Sequence, residues 1–362
     1  MNISEIISNA RDRKASDIHV VCGLPIRIRV NGSLRDFDDA VLTHDDCEDI
    51  AQQLAGTRYE SMRDIGELDL AETYCGTIRC RINLFRQQGN VSAAIRILND
   101  VIPELDRLGL PPIVSEFADY PRGIVLVTGE TGSGKSTTLA ALLDKINHTR
   151  HEHIITLEDP VEYIYTPALC TINQREIGAD TDSYSSGLKA ILREDPDVIL
   201  IGEMRGLDTI ETALTAAETG HLVFATLHTN SAPDSIDRIV SVFPGERQQQ
   251  IRLQLSMTLR AVLSQQLLPR RDGSGRVLAT EVMIATGAIK SLIREGKTPQ
   301  IANSMVTGAA EGNITMDSSL LKLARTGMIS NEVAIDASHD ADYVKKSLGM
   351  GSLSRTPDRM MR

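Results

Sequence analysis

The chain of 362 residues contains no tryptophan, and only 3% of its residues are aromatic. Its hydrophobic cores must therefore consist mainly of aliphatic side chains, which the hydrophobic content of 41% can supply. No apolar run is long enough to cross a bilayer, and the first residues lack the pattern of a signal peptide. We therefore expect a cytoplasmic protein whose association with a membrane is peripheral or through a partner.

Excess basic charge and regularly spaced cysteines are also missing. The formal net charge is −11 at pH 7, which argues against a general nucleic-acid binder because such proteins carry a basic face. The five cysteines include no pair with the C-x2-C spacing of a zinc site, and none follows Cys170. Their odd number and scattered positions predict free thiols in a reducing compartment.

The segment 129–136 matches the phosphate-binding pattern G-x-x-x-x-G-K-[ST] at every fixed position. It follows an apolar, β-branched run (123–128) that predicts a buried strand, and it precedes a segment (137–147) whose leucine and isoleucine spacing predicts a helix. Glycines let backbone N–H groups face phosphate oxygens, and the helix N-terminus adds partial positive charge. The alternative interpretation is a glycine-rich turn that binds nothing.

This loop predicts ATP and Mg²⁺ as ligands. Lys135 would contact the β- and γ-phosphates, and the Ser136 hydroxyl would ligate Mg²⁺. The residues that we assign to nucleotide binding are Gly129, Thr131, Gly132, Ser133, Gly134, Lys135, Ser136 and Thr137.

An apolar run from Asp197 ends in Glu203, which is the arrangement of a Walker B strand. Such a strand places Glu203 beside Mg²⁺ and the γ-phosphate, where a carboxylate helps to hold the metal or polarises the attacking water. The alternative is a surface acid at the end of a strand.

A second acidic segment, Glu158-Asp159-Pro160-Val161-Glu162, lies at the end of another strand candidate. Ligands of parallel sheets bind at the carboxyl ends of the strands, so we expect Glu158 and Glu162 to share a crevice with Lys135. A helix cap or an acidic loop is the alternative.

Two histidines bracket the apolar segment 222–227, which predicts a further strand. His228 lies at its carboxyl end, where an imidazole can sense or stabilise the γ-phosphate. For His221, at the start of the strand, a structural role is an equal alternative.

Three arginines of the first hundred residues form the last group of candidates: Arg79, Arg81 and Arg96. Phosphoryl transfer builds negative charge on the equatorial oxygens, and an arginine from a neighbouring subunit can neutralise it. The alternative is a solvated basic face.

The chain is expected to contain five regions: an α+β domain, a linker, a nucleotide domain, a helical C-terminal region and a tail that frays. Their predicted bounds are 1–98, 99–112, 113–274, 275–348 and 349–362. The nucleotide domain alternates strands and helices, which predicts a parallel sheet with crossover helices. Its strand candidates are 123–128, 154–158, 197–202 and 222–227.

Together these segments resemble the type II/type IV secretion ATPase superfamily, and most closely the PilT-like retraction ATPases of type IV pili. The resemblance runs from about residue 3 to about residue 341. It is carried by the segments 15–19, 158–162, 197–205, 219–229 and 288–297. The last of these resembles the Ala-Ile-Arg-Asn-Leu-Ile-Arg-Glu segment of retraction motors, with Lys290 and Ser291 as departures. Gly206 stands where many relatives have aspartate.

The resemblance implies an α/β fold: an N-terminal PAS-like α+β domain, a RecA-like P-loop ATPase core and a helical C-terminal part. It implies a homohexameric motor ATPase that acts on an inner-membrane platform protein to retract pili, and so drives twitching motility. A paralogous accessory motor is an optional further partner. The implied catalytic residues are Glu162 as the base, Glu203, His228, Glu158 and, from a neighbouring subunit, Arg81 and Arg96.

Three other functions are consistent with parts of the sequence. A pilus-extension or type II secretion ATPase would usually carry a tetracysteine zinc module late in the chain, where this sequence has no cysteine. An accessory nucleotide-binding subunit would not need an intact Lys135, Glu162, Glu203 and His228, although Gly206 is compatible with it. A DNA-translocating motor is disfavoured by the acidic composition and by the absence of a groove rich in aromatic and basic residues.

Overall fold

The computed structural model describes residues 2–30, 32–98 and 101–350. The chain divides into two units, each described by itself below. The first comprises Met1–Ile102, Glu158–Thr166 and Gln174–Asp182, and the second comprises Pro103–Leu157, Pro167–Asn173 and Ser183–Arg362. The five predicted domain bounds stay a prediction, and residues 99–100 of the linker and 351–362 of the tail lie outside the described residues.

The first unit is built on a six-stranded antiparallel sheet with the strand order β3-β2-β1-β6-β5-β4. Its strands are β1 (Ala15–Val20), β2 (Pro25–Val30), β3 (Ser33–Val41), β4 (Glu67–Tyr74), β5 (Ile78–Gln87) and β6 (Asn90–Ile97), and its helices are α1 (Ile3–Asp12), α2 (His44–Ala55) and α3 (Tyr59–Ile65). Apolar and polar residues alternate along β5. Because successive side chains of a strand point to opposite sides, this alternation gives β5 one buried face. Cys80, Ile82 and Leu84 are fully buried on that face, whereas Arg81 is exposed.

A seven-stranded sheet with the order β13-β12-β7-β11-β10-β8-β9 consists of residues of the second unit except for Glu158 of β8 and residues 174–176 of β9, which belong to the first. Its strands are β7 (Gly123–Thr128), β8 (His153–Glu158), β9 (Thr171–Glu176), β10 (Val198–Ile201), β11 (Leu222–Leu227), β12 (Leu259–Pro269) and β13 (Arg276–Ile284). The pairs β12–β7, β7–β11, β11–β10 and β10–β8 are parallel, and β12–β13 is antiparallel. Every residue of β7, β10 and β11 is buried, as expected for parallel strands that are covered on both faces.

Ten helices of this unit cover or follow the sheet within the described residues. They are α4 (Lys135–Thr149), α5 (Tyr184–Ile191), α6 (Leu207–Glu218), α7 (Ala232–Ser241), α8 (Gly245–Thr258), α9 (Gly287–Arg294), α10 (Ile301–Thr307), α11 (Met316–Arg325), α12 (Asn331–Asp336) and α13 (Ala341–Ser347). In the part of the chain that the structure describes, none of the helices has the length and apolarity needed to cross a bilayer.

All four predicted strands of the nucleotide domain are present as β7, β8, β10 and β11, but the sequence analysis missed β9, β12 and β13. The region from 275 onward was expected to be helical, and this is wrong for residues 276–284, which pair with β12 along their whole length. The polar residues Ser264 and Gln265 interrupt the apolar pattern of β12. They are nevertheless buried, because Thr128 Oγ1 donates to Ser264 Oγ (2.9 Å) and Gln265 Nε2 donates to Thr138 Oγ1 (2.8 Å).

Glu281 on β13 is a buried carboxylate, 4% exposed, that connects two helix starts. Its Oε1 accepts a hydrogen bond from the Ala232 N–H (2.7 Å) at the start of α7, and its Oε2 accepts one from the Met316 N–H (3.3 Å) at the start of α11. Burial raises the pKa of Glu281 above its ordinary value, although the two N–H groups and the imidazole of His339 act in the opposite direction. This carboxylate therefore satisfies backbone donors that would otherwise lie buried without an acceptor.

Replacing Glu281 by alanine should lower the free energy of unfolding by about 2–5 kcal/mol, because it leaves two buried N–H groups without acceptors. Urea denaturation followed by circular dichroism measures the loss. The matched control is Glu332→Ala on the exposed first turn of α12, for which we expect at most about 0.5 kcal/mol. Equal stabilities of the two variants would contradict this role of Glu281.

Candidate nucleotide site

The predicted phosphate loop connects β7 to α4 and depends on glycine for its shape. Gly129, Gly132 and Gly134 have φ angles of 138°, 81° and 96°, which L side chains rarely adopt. A Cβ atom at Gly129 would lie 2.4 Å from the Gln265 carbonyl oxygen and 2.6 Å from Ser133 Oγ. The loop therefore lies directly against β12, and glycine is required at position 129.

Lys135 is the first residue of α4 and is 9% exposed. Its Nζ donates hydrogen bonds to the carbonyl oxygens of Gly129 (2.7 Å) and Glu130 (2.9 Å). Ser133 Oγ is buried and has no hydrogen-bond partner among the described residues. The loop thus combines an ammonium group, a hydroxyl group without a partner and the start of a 15-residue helix. This set of groups fits a chain of phosphates.

Glu203 lies just beyond the end of β10 and forms an ionic cluster with Arg205 and His228. Its Oε1 lies 2.5 Å from Arg205 Nε and 3.3 Å from His228 Nε2. Burial opposes ionisation of Glu203, but the hydrogen bond from Arg205 and the electrostatic effects of His228 and Arg205 outweigh it. The pKa of Glu203 therefore lies below its ordinary value. At neutral pH this side chain is a carboxylate, which is the form that can bind Mg²⁺ or polarise water.

Hydrogen bonds between strand ends fix the positions of Glu203 and His228. The Gly202 N–H donates to the Leu157 carbonyl at the end of β8 (2.7 Å), and Thr226 Oγ1 donates to the Gly202 carbonyl (2.5 Å). The carboxyl ends of β8, β10 and β11 are therefore tied together in register. The structure thus brings two of the sequence-predicted residues into contact, as expected for neighbouring parallel strands.

His221, at the start of β11, makes its contacts with residues at the end of α6. Its Nδ1 lies 2.8 Å from the Ala216 carbonyl oxygen and 3.2 Å from Thr219 Oγ1, both at the end of α6. Because this imidazole satisfies a carbonyl at a helix C-terminus, the structure favours the structural interpretation.

The acidic segment 158–162 leads away from β8 and belongs to the first unit. Glu158 and Glu162 are both half-buried, whereas the intervening Asp159 is exposed. The Glu158 carbonyl accepts a hydrogen bond from the Ile177 N–H (2.9 Å). Both acids thus belong to the first unit, whereas Glu203 and Lys135 belong to the second.

The three candidate arginines have different surroundings. Arg81 and Arg96 lie directly opposite each other on β5 and β6, and both are exposed. Arg96 Nε donates to Asp17 Oδ1 (3.0 Å), whereas Arg81 has no ion pair with any residue that the structure describes. Arg79 is mostly buried and forms an ion pair with Glu176 of the same chain, with 2.8 Å between Nη2 and Oε2.

Sequence reasoning missed three residues that hold these groups in place: Arg205, Asp17 and Glu176. The proximity of Arg205 to Glu203 in sequence could have indicated the first contact. Opposite charges on paired strands could have indicated the contact between Asp17 and Arg96, which are cross-strand neighbours. No sequence signal connects Glu176 with Arg79, because 97 positions separate them.

Comparison with known proteins identifies the family. The family model described as "Type II/IV secretion system protein" matches residues 1–333. The chain is 44% identical over 335 residues to the "Type IV pilus retractation ATPase PilT" of Pseudomonas aeruginosa, covering 92% of this chain and 97% of the relative. It is 45% identical over 311 residues to the "Twitching motility protein" of Neisseria gonorrhoeae, covering 85% of this chain and 82% of the relative.

A solved structure agrees with these relatives. The crystal structure of "the Pilus Retraction Motor PilT and Bound ADP" superposes with a TM-score of 0.90 at 45% identity, and the match covers 96% of this chain and 99% of the solved one. The predicted α/β fold class is confirmed. The chain belongs to the type II/IV secretion system protein family.

Proposed function

We propose that this chain is a motor that hydrolyses ATP to power the retraction of type IV pili. The observation that carries the proposal is the glycine-constrained loop with the buried Lys135, on a fold that matches an ADP-bound retraction motor at a TM-score of 0.90. The two named relatives, a pilus retraction ATPase and a twitching motility protein, support the direction of the motor.

The residues of the site divide the chemistry of phosphoryl transfer among them. Residues 129–137 bind the phosphates, and within them Lys135 neutralises charge on the β- and γ-phosphates. Ser136 and the ionised Glu203 are the groups that would hold Mg²⁺, which when bound supplies further neutralisation of the phosphate oxygens. His228 contacts Glu203. Through this contact, binding or release of the γ-phosphate at His228 would change the position of the Glu203 carboxylate.

The remaining predicted residues act on water and on the developing charge. Glu162 orients the attacking water and accepts its proton, and Glu158 adds negative charge near the same segment. Arg81 and Arg96 neutralise charge on the transferring phosphoryl group of a neighbouring subunit. Their exposure and, for Arg81, the lack of an ion pair among the described residues support a role toward another chain.

The proposed assembly is a homohexamer at the inner face of the cytoplasmic membrane. It would act on an inner-membrane platform protein, with a paralogous motor ATPase as an optional partner. Pilus extension or type II secretion is the second candidate function. The lack of cysteine after Cys170 and the retraction-like segment 288–295 argue against it. This segment forms α9 with Ile289 and Ile293 buried, so its resemblance is not confined to exposed positions.

An accessory role without hydrolysis is the third candidate. Gly206 occupies the N-cap position of α6 and provides no side-chain hydrogen bond there, whereas aspartate would cap the helix. The cap lies three residues after Glu203. The ionised state of Glu203 and its contact with His228 nevertheless favour an active enzyme.

Replacing Lys135 by alanine should abolish steady-state ATP hydrolysis, because the phosphates lose their main counter-charge. A phosphate-release assay on the purified variant measures this. The matched control is Lys322→Ala, which removes an exposed lysine of α11 and should leave turnover unchanged. Undiminished hydrolysis by the Lys135 variant would exclude this loop as the active site.

Replacing Arg205 by glutamine should shift the acid limb of the pH–rate profile to higher pH. Arg205 helps to lower the pKa of Glu203, so in the variant this carboxylate takes up a proton at a higher pH as the solution is acidified. The profile of kcat measured from pH 8 down to the acid limit shows the shift. Arg238→Gln, at an exposed position of α7, is the control. Superimposable acid limbs for wild type and the Arg205 variant would contradict the role of the ionised Glu203.

Cells that lack the gene should carry excess surface pili and should not move by twitching, because fibres are built but not withdrawn. Electron microscopy counts the pili, and complementation with wild type or with the Lys135→Ala variant tests the need for hydrolysis. Cells without pili would assign the motor to extension, and an unchanged pilus number would assign it an accessory role.

A further inference from the structure

The segment that carries Glu162 belongs to no strand and to no helix. Alternate side chains are buried along it: Val161 (4% exposed), Tyr163 (8%) and Tyr165 (7%). Glu162 is half-buried and Ile164 is 52% exposed. Glu162 therefore lies between two buried residues and is itself more accessible than either of them.

Side chains of β9 hold the backbone of this segment in place of a strand partner. Gln174 Nε2 donates to the Tyr163 carbonyl (2.7 Å), and Gln174 Oε1 accepts from the Tyr165 N–H (3.0 Å). Two positions further along β9, Glu176 Oε2 accepts from the Val161 N–H (3.1 Å). Residues two apart on a strand face the same side, so both contacts fix one face of the segment.

Arg79 on β5 completes the contacts around Val161. Its Nη2 donates to Glu176 Oε2 (2.8 Å), and its Nε donates to the Val161 carbonyl (3.3 Å). The side chains of Arg79 and Glu176 are only 14% and 11% exposed. Both backbone polar groups of the residue that precedes Glu162 are therefore bound by this one buried ion pair.

The ion pair is sensitive to the loss of either member. Burial raises the pKa of Glu176, although the Val161 N–H and the charge of Arg79 act in the opposite direction. Without Arg79 the carboxylate would be buried with no counter-charge in contact, which is a costly arrangement. The Val161 carbonyl would lose its donor as well.

We propose that Arg79 is a positioning residue for Glu162, which it holds through Glu176 and the backbone of Val161. The proposal rests on the function proposed for Glu162 above. The role of Arg79 thus differs from the role proposed for Arg81, which lies two residues further along the same strand and is exposed. Arg79 acts within its own chain, on the geometry of the base, and not on the charge of a phosphate.

The test compares Arg79→Gln and Glu176→Gln in ATP hydrolysis. A misplacement of about 1 Å costs up to about 100-fold in rate, so we expect kcat to fall by about 10- to 100-fold in each variant. The KM for ATP and the dissociation constant of a fluorescent ATP analogue should stay within about twofold of wild type, because neither residue binds the nucleotide. The double variant should be about as slow as either single variant, since both changes remove the same contact.

Arg79→Lys gives a graded result. Lysine keeps a charge for Glu176, but it lacks the second donor of the guanidinium fork for the Val161 carbonyl, so its kcat should lie between those of wild type and Arg79→Gln. The matched control is Arg27→Gln on β2 of the same sheet, whose ion pair with Asp36 is exposed and whose loss should not change kcat. If Arg79→Gln does not fold, Glu176→Gln and Arg79→Lys carry the comparison.

Each outcome has one meaning. Wild-type kcat in both Arg79→Gln and Glu176→Gln overturns the positioning role. A slow Arg79 variant beside a fully active Glu176 variant also overturns it, because Arg79 then acts on something other than this segment. Glu162→Gln is the reference for the proposed function. If that variant hydrolyses ATP at the wild-type rate, the role of Glu162 fails independently of Arg79.

Discussion

The close approach of the phosphate loop to β12 is the constraint on which the second unit depends. The loop backbone at Gly129 leaves no space for a Cβ atom beside the Gln265 carbonyl. The polar side chains of Ser264 and Gln265 bind Thr128 and Thr138, on either side of the loop. A strand that looks too polar for a core thus fixes both ends of the phosphate loop. The hydrogen bonds of Ser264 Oγ and Gln265 Nε2 offset part of the cost of burying these groups, whereas Gln265 Oε1 is buried without a partner among the described residues.

From β12 the same constraint extends toward the C-terminal helices. Strand β13 pairs with β12, and its Glu281 binds the first N–H groups of α7 and α11. The chain that enters α7 has just left the end of β11, where His228 meets Glu203. Helix α7, which follows His228, is therefore held by β13. Strand β13 in turn lies next to β12, the strand that contacts the phosphate loop. Buried hydrogen bonds, and not apolar packing alone, thus connect β13 to the starts of α7 and α11.

The sequence allowed correct predictions wherever a local pattern was decisive. The loop 129–136 and the four apolar strands around it needed only glycine spacing and burial on both faces. The positions of Glu203 and His228 at the carboxyl ends of parallel strands followed from the strand pattern, but their contact with each other was not predicted. Strand β12 was missed because its polar residues Ser264 and Gln265 find their partners on β7 and α4, which the local sequence does not show. Strand β13 pairs with β12 and was missed with it. The ion pair of Arg79 with Glu176 joins positions 97 residues apart, and nothing local in either strand encodes it.

The two acids proposed for catalysis are held by different parts of the chain. Glu203 is fixed by the ends of β8, β10 and β11 and by Arg205, in the second unit with Lys135. Glu162 is fixed from β5 and β9 through one buried ion pair in the first unit. A change that displaces β5 is therefore expected to move the proposed base, whereas the contacts that hold the phosphate loop and Glu203 come from the second unit. Because a base must lie within hydrogen-bond distance of the water it activates, the proposed mechanism makes hydrolysis depend on contacts of the first unit, whereas the contacts of the phosphate loop lie in the second.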